Sequence, residues 1–508
     1  MTTTSRRRFL GSIGNGMLMA GLGPSLCRQL GIGPPAIAGT GAASTGDDLE
    51  PWIARMQESS ADELLPHLVR GLRTGTGLDA FATAGAIANA RTFGAGDYEG
   101  YHAFMALLPA LAMAARLPAA EAPLPVLKVL HRNTARIRKA GAGRTALPPI
   151  AVADAAAPVA PTAAGATLRQ QVRDRDLAAA ESLFARRCAA DPAVAADDLQ
   201  WIVRDDLNVH RIVLAWRAFD MLRIAGREHA EILMRQVVRF CVDEERNRID
   251  KGRPAPAVRE DVPRILDHHG LFLPRMGERR PDDAWVDALA HIVFSGDPAS
   301  AAEAVAQAIA DGFLPDAIAE AISLAANRLL RHDTGERRVH GASVGVHASD
   351  AANAWRHVAA VGAPATRAAS LVVAAYHTAG QSLAVGKEPY AFDEARERLA
   401  AVTDAEALLR AARSGIEARD QRAAMAAIDR YGALGHDARA AMDLMLGYAV
   451  SEDGALHAEK YFQTACEEFA ASRPAFRWRH LVGLARVTAS EFGEPAPGVA
   501  AARELMKS

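Results

Sequence analysis

The chain has 508 residues, of which 50% are hydrophobic and 23% are charged, so it is long enough to bury more than one ordinary core. Its formal net charge of −2 argues against binding to nucleic acid or to an anionic membrane through a basic surface. Alanine is abundant and alternating runs of β-branched residues are almost absent, so we expect an all-α fold.

The first 38 residues have the pattern of an export signal. Three arginines at 6–8 precede a mildly apolar, glycine-rich stretch at 11–26, and a small-residue cleavage-like sequence follows at 36–38. The pattern resembles a twin-arginine signal peptide. The resemblance implies the twin-arginine translocase as a partner during export, an exported, periplasmic or extracytoplasmic location, and a mature chain that begins near Gly39. The apolar stretch is too short to predict a stable membrane span.

Four aspartates mark what we interpret as four copies of one helical unit. Each is predicted to lie in the turn before the second helix of its unit, and they recur at intervals of about 120 residues. With four helices in each unit, we expect about sixteen helices, stacked as an α-solenoid or closed into an α-toroid. The four aspartates are Asp79, Asp198, Asp316 and Asp437.

Segments rich in proline and glycine separate these units. A linker at 39–50 precedes the first unit, and a Pro/Ala-rich linker at 141–166 follows it. Residues 252–263 and 331–349 are also predicted to be connectors. The predicted helical units are 51–140, 167–255, 256–390 and 391–508.

A histidine recurs at the corresponding place in each unit, where the third helix is predicted to begin. If the units surround a common axis, the four imidazoles converge. A helix N-terminus disfavours the imidazolium ion, and neutral imidazole is the form that binds a metal. The four are His102, His210, His347 and His457. His340 lies in the same predicted connector as His347, and the sequence leaves the choice between them open.

Each of these histidines has a carboxylate within one helical turn: Glu99, Asp206, Asp350 and Asp453. Imidazole and carboxylate ligands together suit iron, manganese or zinc, so we predict a transition-metal site built from these eight residues. The alternative interpretation is that each histidine bonds a nearby carbonyl and fills space at a helix boundary.

Two other histidine-bearing segments stand out. Asn353 and His357 share one face of a predicted helix, where they either form hydrogen bonds between helices or support His347. The adjacent pair His268 and His269 is not expected to form a joint site, because neighbouring side chains on a regular element point in different directions.

Three short segments, at 229–233, 353–357 and 457–461, resemble the questin oxidase-like proteins. That group is all-helical and carries histidines, so the resemblance implies oxidative chemistry; the twin-arginine signal is a departure from it. We therefore favour an exported transition-metal-dependent oxidoreductase acting on a small molecule. Two alternatives remain open: a non-catalytic helical scaffold that binds a protein or small ligand, and a metal-dependent hydrolase or lyase.

Overall fold

The computed structural model describes residues 49–141, 147–150, 161–272, 277–333 and 343–507. Within them the chain is helical, with two isolated β-bridges and no strand, so the predicted all-α class is confirmed. The predicted signal peptide lies outside the described residues, as does all but the end of the linker at 39–50. None of the described helices combines the length and the hydropathy needed to cross a membrane.

Five helices form the first part of the chain. The second of them begins with a capping box, because the Ser60 side chain accepts a hydrogen bond from the Glu63 amide while the Glu63 carboxylate accepts one from the Ser60 amide. The third is rich in alanine, almost wholly buried, and packs against the first and the fourth. The five are α1 (Glu50–Glu58), α2 (Ala61–Arg73), α3 (Leu78–Phe93), α4 (Tyr98–Ala114) and α5 (Leu124–Ala140).

Seven helices follow, two of which extend into predicted linkers. They are α6 (Pro161–Arg173), α7 (Leu177–Ala190), α8 (Pro192–Val203), α9 (Val209–Asp220), α10 (Leu222–Ala225), α11 (Ala230–Asp250) and α12 (Val258–His268). Because α6 begins at Pro161, the last residues of the predicted linker at 141–166 are helical. Likewise, α12 includes Pro263, because burying Val262 and Leu266 on one helix face outweighs the cost of an internal proline.

The next five helices are α13 (Asp283–Ser295), α14 (Pro298–Ala310), α15 (Pro315–His332), α16 (Val344–Val361) and α17 (Pro364–Ser382). The connector predicted at 331–349 is wrong at both ends, because α15 extends to His332 and α16 begins at Val344. His347 therefore lies in a helix, whereas His340 lies outside the described residues.

The last seven helices are α18 (Asp393–Arg398), α19 (Ala405–Glu417), α20 (Gln421–Ala433), α21 (Ala438–Ser451), α22 (His457–Ala471), α23 (Trp478–Glu491) and α24 (Val499–Lys507). The described residues thus contain 24 α-helices, more than the predicted sixteen. Part of the difference arises because segments at the borders of the predicted units, such as α1, α6 and α18, are helical themselves.

Four helices, α4, α9, α16 and α22, pack around one another at the histidine positions. Helix α4 contacts α9 and α22, and α16 also contacts α9 and α22. The four therefore contact one another in a closed cycle, and each carries one of the recurring histidines in its first five residues. A four-unit solenoid or toroid as the organisation of the whole chain stays a prediction.

A buried ion pair joins α5 to the C-terminal part of the chain. The Lys128 ammonium lies 2.7 Å from the Glu459 carboxylate, and the two side chains are 1% and 0% exposed. The same ammonium donates hydrogen bonds to the carbonyls of Ala449, at 2.8 Å, and Glu452, at 2.7 Å. One side chain therefore connects α5 with α21, with the turn after it and with α22.

The four aspartates that recur at intervals of about 120 residues do not occupy equivalent positions in their helices. Asp79 and Asp316 lie in the first turns of α3 and α15, and Asp437 caps α21. Asp198 instead lies buried inside α8, where it forms an ion pair with an arginine of α7 at 2.6 Å. The predicted turn at Asp198 is therefore wrong, and the residue that caps α8 is Asp191.

Candidate metal centre

The structure brings the four recurring histidines together. Ring centroids are 4.8 Å apart between His102 and His210, 5.6 Å between His210 and His347, 5.2 Å between His347 and His457, and 4.9 Å between His457 and His102. Each imidazole therefore has two imidazole neighbours. One nitrogen from each of His102, His210 and His347 lies within 4.8 Å of the other two.

Side-chain capping explains why three of the four histidines lie at a helix start. Asp97, Asn208 and Ser343 cap α4, α9 and α16, and each accepts a backbone hydrogen bond with its side chain. Helix α22 is different, because Ala455 and Leu456 before it both have left-handed backbones, with φ of 45° and 68°. Such strain in residues other than glycine is typical of functional sites and sets the direction in which α22 begins.

Each Nδ1 atom has an oxygen acceptor close to its own helix start. For His102, His347 and His457 the acceptor is the backbone carbonyl of Tyr98, Ser343 and Ala455, at 2.7, 3.0 and 3.1 Å. A carbonyl only accepts, so each Nδ1 carries the proton. The Nε2 atom of each neutral ring therefore carries a lone pair.

The fourth histidine obtains the same tautomer from a side chain. The Nδ1 of His210 lies 2.9 Å from Oδ1 of Asn208, and the Asn208 amide nitrogen donates to the Glu244 carboxylate at 2.9 Å. The Glu244 contact fixes the orientation of the amide, so its oxygen faces the imidazole. The sequence signal for this was an asparagine two residues before a histidine at a predicted helix start.

Two of the Nε2 atoms are buried acceptors without a donor. Nε2 of His102 and Nε2 of His210 are shielded from solvent and accept no hydrogen bond within the described residues. A buried polar atom left without a partner costs free energy, of about 1–3 kcal/mol. An ion bound between the rings would satisfy both lone pairs.

Burial also holds these imidazoles in the neutral form. Burial is the main cause that lowers the pKa of His102 well below its usual range, and the Lys460 ammonium adds to the effect. The same two causes lower the pKa of His210 to about 3. Protons therefore compete weakly for these rings near neutral pH, and metal ions bind neutral imidazole.

Two tyrosines form an aromatic wall beside His102 and His210. The ring of Tyr98 lies 4.3 Å from that of His102, and the ring of Tyr101 lies 5.0 Å from His102 and 5.3 Å from His210. Tyr101 is buried, whereas Tyr98 is 55% exposed, so the solvent boundary of the site runs past Tyr98. Neither tyrosine was predicted to belong to the site, although Tyr98 lies one turn and Tyr101 one residue before His102.

A buried lysine lies close enough to influence the site electrostatically. Lys460 lies three residues after His457, and its charge acts on both His102 and His210. Burial lowers the pKa of Lys460 to about 8, and the nearby Asp350 carboxylate opposes this shift. Asp350 also accepts a hydrogen bond from the Thr464 hydroxyl at 2.8 Å. The buried charges near the imidazoles thus include an ammonium and a carboxylate.

Two of the predicted carboxylate ligands interact with arginines instead. Asp453 accepts hydrogen bonds from Arg132 on both of its oxygens, at 2.6 and 2.7 Å. Glu99 is 58% exposed and lies 3.6 Å from Arg136. Neither carboxylate belongs to the cluster of His102, His210 and His347, whose ring nitrogens lie within 4.8 Å of one another.

The other two predicted carboxylates also lie outside this cluster of three histidines. Asp206 is half-buried, and its charge acts on Arg211. Asp350 is buried near Lys460, as described above. As metal ligands, all four carboxylates stay predictions; the contacts favour a centre made of imidazoles.

The segment with Asn353 and His357 forms hydrogen bonds between α16 and α22. Asn353 donates to the Glu468 carboxylate at 3.0 Å, and Nε2 of His357 lies 2.9 Å from the Glu467 carboxylate. The first of the two predicted roles, bonding between helices, is therefore the one observed. These bonds hold α16, which carries His347, against α22.

A second histidine cluster corrects an expectation from the sequence. His268 is the last residue of α12 and His269 follows it, and both side chains reach Glu303 of α14, at 3.8 and 2.7 Å. The expectation that they face apart is wrong, because the helix ends between them. Arg264 also pairs with Glu303, at 3.2 Å, and opposes a cation there.

Comparison with protein-family models, with curated proteins and with solved structures gave no significant match for this chain. Function is therefore inferred from the geometry and chemistry of the site itself.

Proposed function

We propose that the Nε2 atoms of His102, His210, His347 and His457 bind one transition-metal ion, and that this ion serves an oxidoreductase reaction on a small molecule. The observation that carries the proposal is the pair of buried Nε2 acceptors on His102 and His210 that no donor satisfies in the described part of the chain. Hydrogen bonds on Nδ1 direct the lone pairs of all four rings to Nε2.

The dimensions suit a metal ion after a small contraction. Metal–imidazole bonds are about 2.0–2.1 Å, so neighbouring ligand nitrogens around a tetrahedral ion are about 3.4 Å apart. The nitrogen atoms of three histidines already lie within 4.8 Å of one another. Each nitrogen would move inward by less than about 1 Å to reach this bond length, and each ring has a hydrogen bond to its own helix start. Imidazole ligands suit copper, iron, nickel and zinc, whereas manganese prefers oxygen ligands.

Neutral ligands suit a redox role for the ion. Four neutral imidazoles leave the full charge of the ion uncompensated by its ligands; of the buried charges nearby, the Lys460 ammonium adds positive charge and the Asp350 carboxylate offsets it. An ion in such surroundings accepts an electron more readily, because reduction lowers the local positive charge. The resemblance of the N-terminus to a twin-arginine signal agrees with a cofactor that is inserted before export.

Metal analysis of protein purified through its native export route tests this function. We expect close to one copper or iron ion per chain, and reversible reduction of that ion in a redox titration. Stoichiometric zinc would favour the hydrolase or lyase alternative. A metal-free protein whose folding is unaffected by a chelator would overturn the proposal in favour of a binding scaffold.

Variants separate the site from general folding. His210→Ala is expected to remove the ion and the increase in melting temperature that the ion produces. His436→Ala is the matched control, because His436 bonds the carbonyl of Thr403 away from the centre. Equal metal content in the two variants would contradict the proposal.

A further inference from the structure

A cavity of about 310 Å³ lies between α6, α8 and α12. This volume is at the lower end of the range for small-molecule sites. Among the residues that the structure describes, its wall contains four arginines and one carboxylate: Arg169, Arg173, Arg204, Arg259 and Asp205. The wall therefore carries an excess of positive charge, although the whole chain is nearly neutral.

Two of the four arginines have carboxylate partners. Arg173 donates to both oxygens of Asp205, at 2.6 and 2.8 Å. Arg259 pairs with the buried Glu245 and donates to the backbone carbonyl of Asp205 at 3.0 Å. These contacts satisfy the two guanidinium groups and fix that side of the cavity.

The other two arginines are not neutralised in this way. The guanidinium carbons of Arg169 and Arg204 lie 4.9 and 4.0 Å from the centre of the Trp201 ring. Within the described residues, neither side chain forms an ion pair or donates a hydrogen bond. Two cations thus share one indole at the cavity wall, and their N–H donors remain available to a ligand.

The surroundings make this arrangement costly without an anion. Burial lowers the pKa of Arg204 to about 10, and the charge of Arg169 acts in the same direction. Burial is also the main cause that lowers the pKa of Arg169, and the Asp205 carboxylate opposes the shift at both arginines. A bound anion would relieve both the repulsion and the loss of hydration.

The rest of the wall is apolar. Trp201 forms one face, and Val258, Val262 and Leu266 of α12 contribute aliphatic surface. A purely inorganic anion would leave this surface without contact, whereas an aromatic or aliphatic body would cover it. A carboxylate matches the fork of donors on a guanidinium.

We propose that this cavity binds a small organic carboxylate, with the carboxylate held by Arg169 and Arg204 and an apolar or aromatic body packed against Trp201 and α12. The inference is independent of the metal centre, because the cavity wall includes none of the four histidines.

Calorimetric titration of the full chain with benzoate tests the site, with benzamide, acetate and inorganic phosphate as comparison probes. We expect benzoate to bind at least tenfold more tightly than each of the others. Benzamide lacks the charge, acetate lacks the apolar body, and phosphate lacks both the apolar body and the planar carboxylate. Equal affinity for benzoate and benzamide would overturn the proposal, as would the absence of benzoate binding at 1:1 stoichiometry.

Variants locate the binding. Arg204→Met and Arg169→Met are each expected to weaken benzoate binding at least tenfold, while Arg204→Lys, which keeps the charge but loses the planar fork, has a smaller effect. Arg223→Met is the control, because Arg223 is 43% exposed and pairs with Asp220 outside the cavity. Folding is checked by melting temperature, so that weak binding by a well-folded variant is interpretable. Unchanged benzoate affinity in both methionine variants would refute the assignment.

Discussion

Replacing Lys128 by Met removes the cation that joins α5 to the C-terminal helices. The change leaves the Glu459 carboxylate buried without its counter-ion and removes the hydrogen bonds to Ala449 and Glu452. Breaking a buried ion pair from one side typically costs about 3–5 kcal/mol, because the remaining charge is not solvated. We expect Lys128→Met to lower the free energy of unfolding by this amount.

A double-mutant cycle with Glu459→Gln isolates the ion pair from the hydrogen bonds. In the Glu459→Gln background, Lys128→Met no longer leaves a buried carboxylate without a counter-ion. The decrease in the free energy of unfolding caused by Lys128→Met should therefore be smaller by about 2–3 kcal/mol. Urea unfolding of the four proteins at pH 7 measures the coupling. A coupling energy below about 0.5 kcal/mol would refute the reasoning, because independent sites are additive to that extent. Since Glu459 lies two residues after His457, we expect Lys128→Met also to weaken the proposed metal binding.

Three further outcomes are expected. Burial lowers the pKa of three histidines in the folded chain to about 3 or 4. Their pKa in an unfolded chain is near 6.5, so at a pH between about 4 and 6.5 the unfolded chain binds more protons than the folded one. Stability of the metal-free protein should therefore fall as the pH drops below about 6.5, by about 1.4 kcal/mol per pH unit for each histidine. Urea midpoints at pH 7, 6 and 5 measure this, and equal midpoints would contradict it. These residues are His210, His377 and His480. Burial raises the pKa of the Cys241 and Cys466 thiols to about 12, so a thiol reagent at pH 8 should label them only after denaturation; labelling of the native protein at the rate of a free thiol would disprove this. Gly165→Ala should cost about 1–3 kcal/mol, because the new methyl group would lie 2.1 Å from the Trp201 ring. Gly447→Ala, where no atom lies within 4 Å of the added carbon, is the control and should be neutral or stabilising in thermal unfolding.

The histidine positions could be predicted because they depend on local signals. A helix start and a recurring histidine are both visible in the sequence, and the structure brings the four together. The carboxylate contacts could not be predicted in the same way. Glu99 and Asp453 lie near a histidine in the sequence, but their nearest cations, on Arg136 and Arg132, come from α5.

The fold was predictable at the level of helices and their order, but less so at their borders. Asp198 fits the interval of about 120 residues between the aspartates, but in the structure it lies inside α8. There it forms an ion pair with Arg187 of α7, a contact that the interval alone does not predict. The tautomer of His210 depends on how Glu244 orients Asn208, which brings together residues that are 36 positions apart. Such relay contacts depend on how α9 and α11 pack, and no periodic pattern encodes that packing.

The closed cycle of helices has a consequence for the order of events in folding. The four imidazoles are spread from residue 102 to residue 457, so the set is complete only after most of the chain has been synthesised. Contacts between such distant segments require large loops to close and form slowly. In the proposed metal centre, binding of one ion by all four rings would therefore be a late event in folding, because it requires the segments around residues 102 and 457 to be in contact.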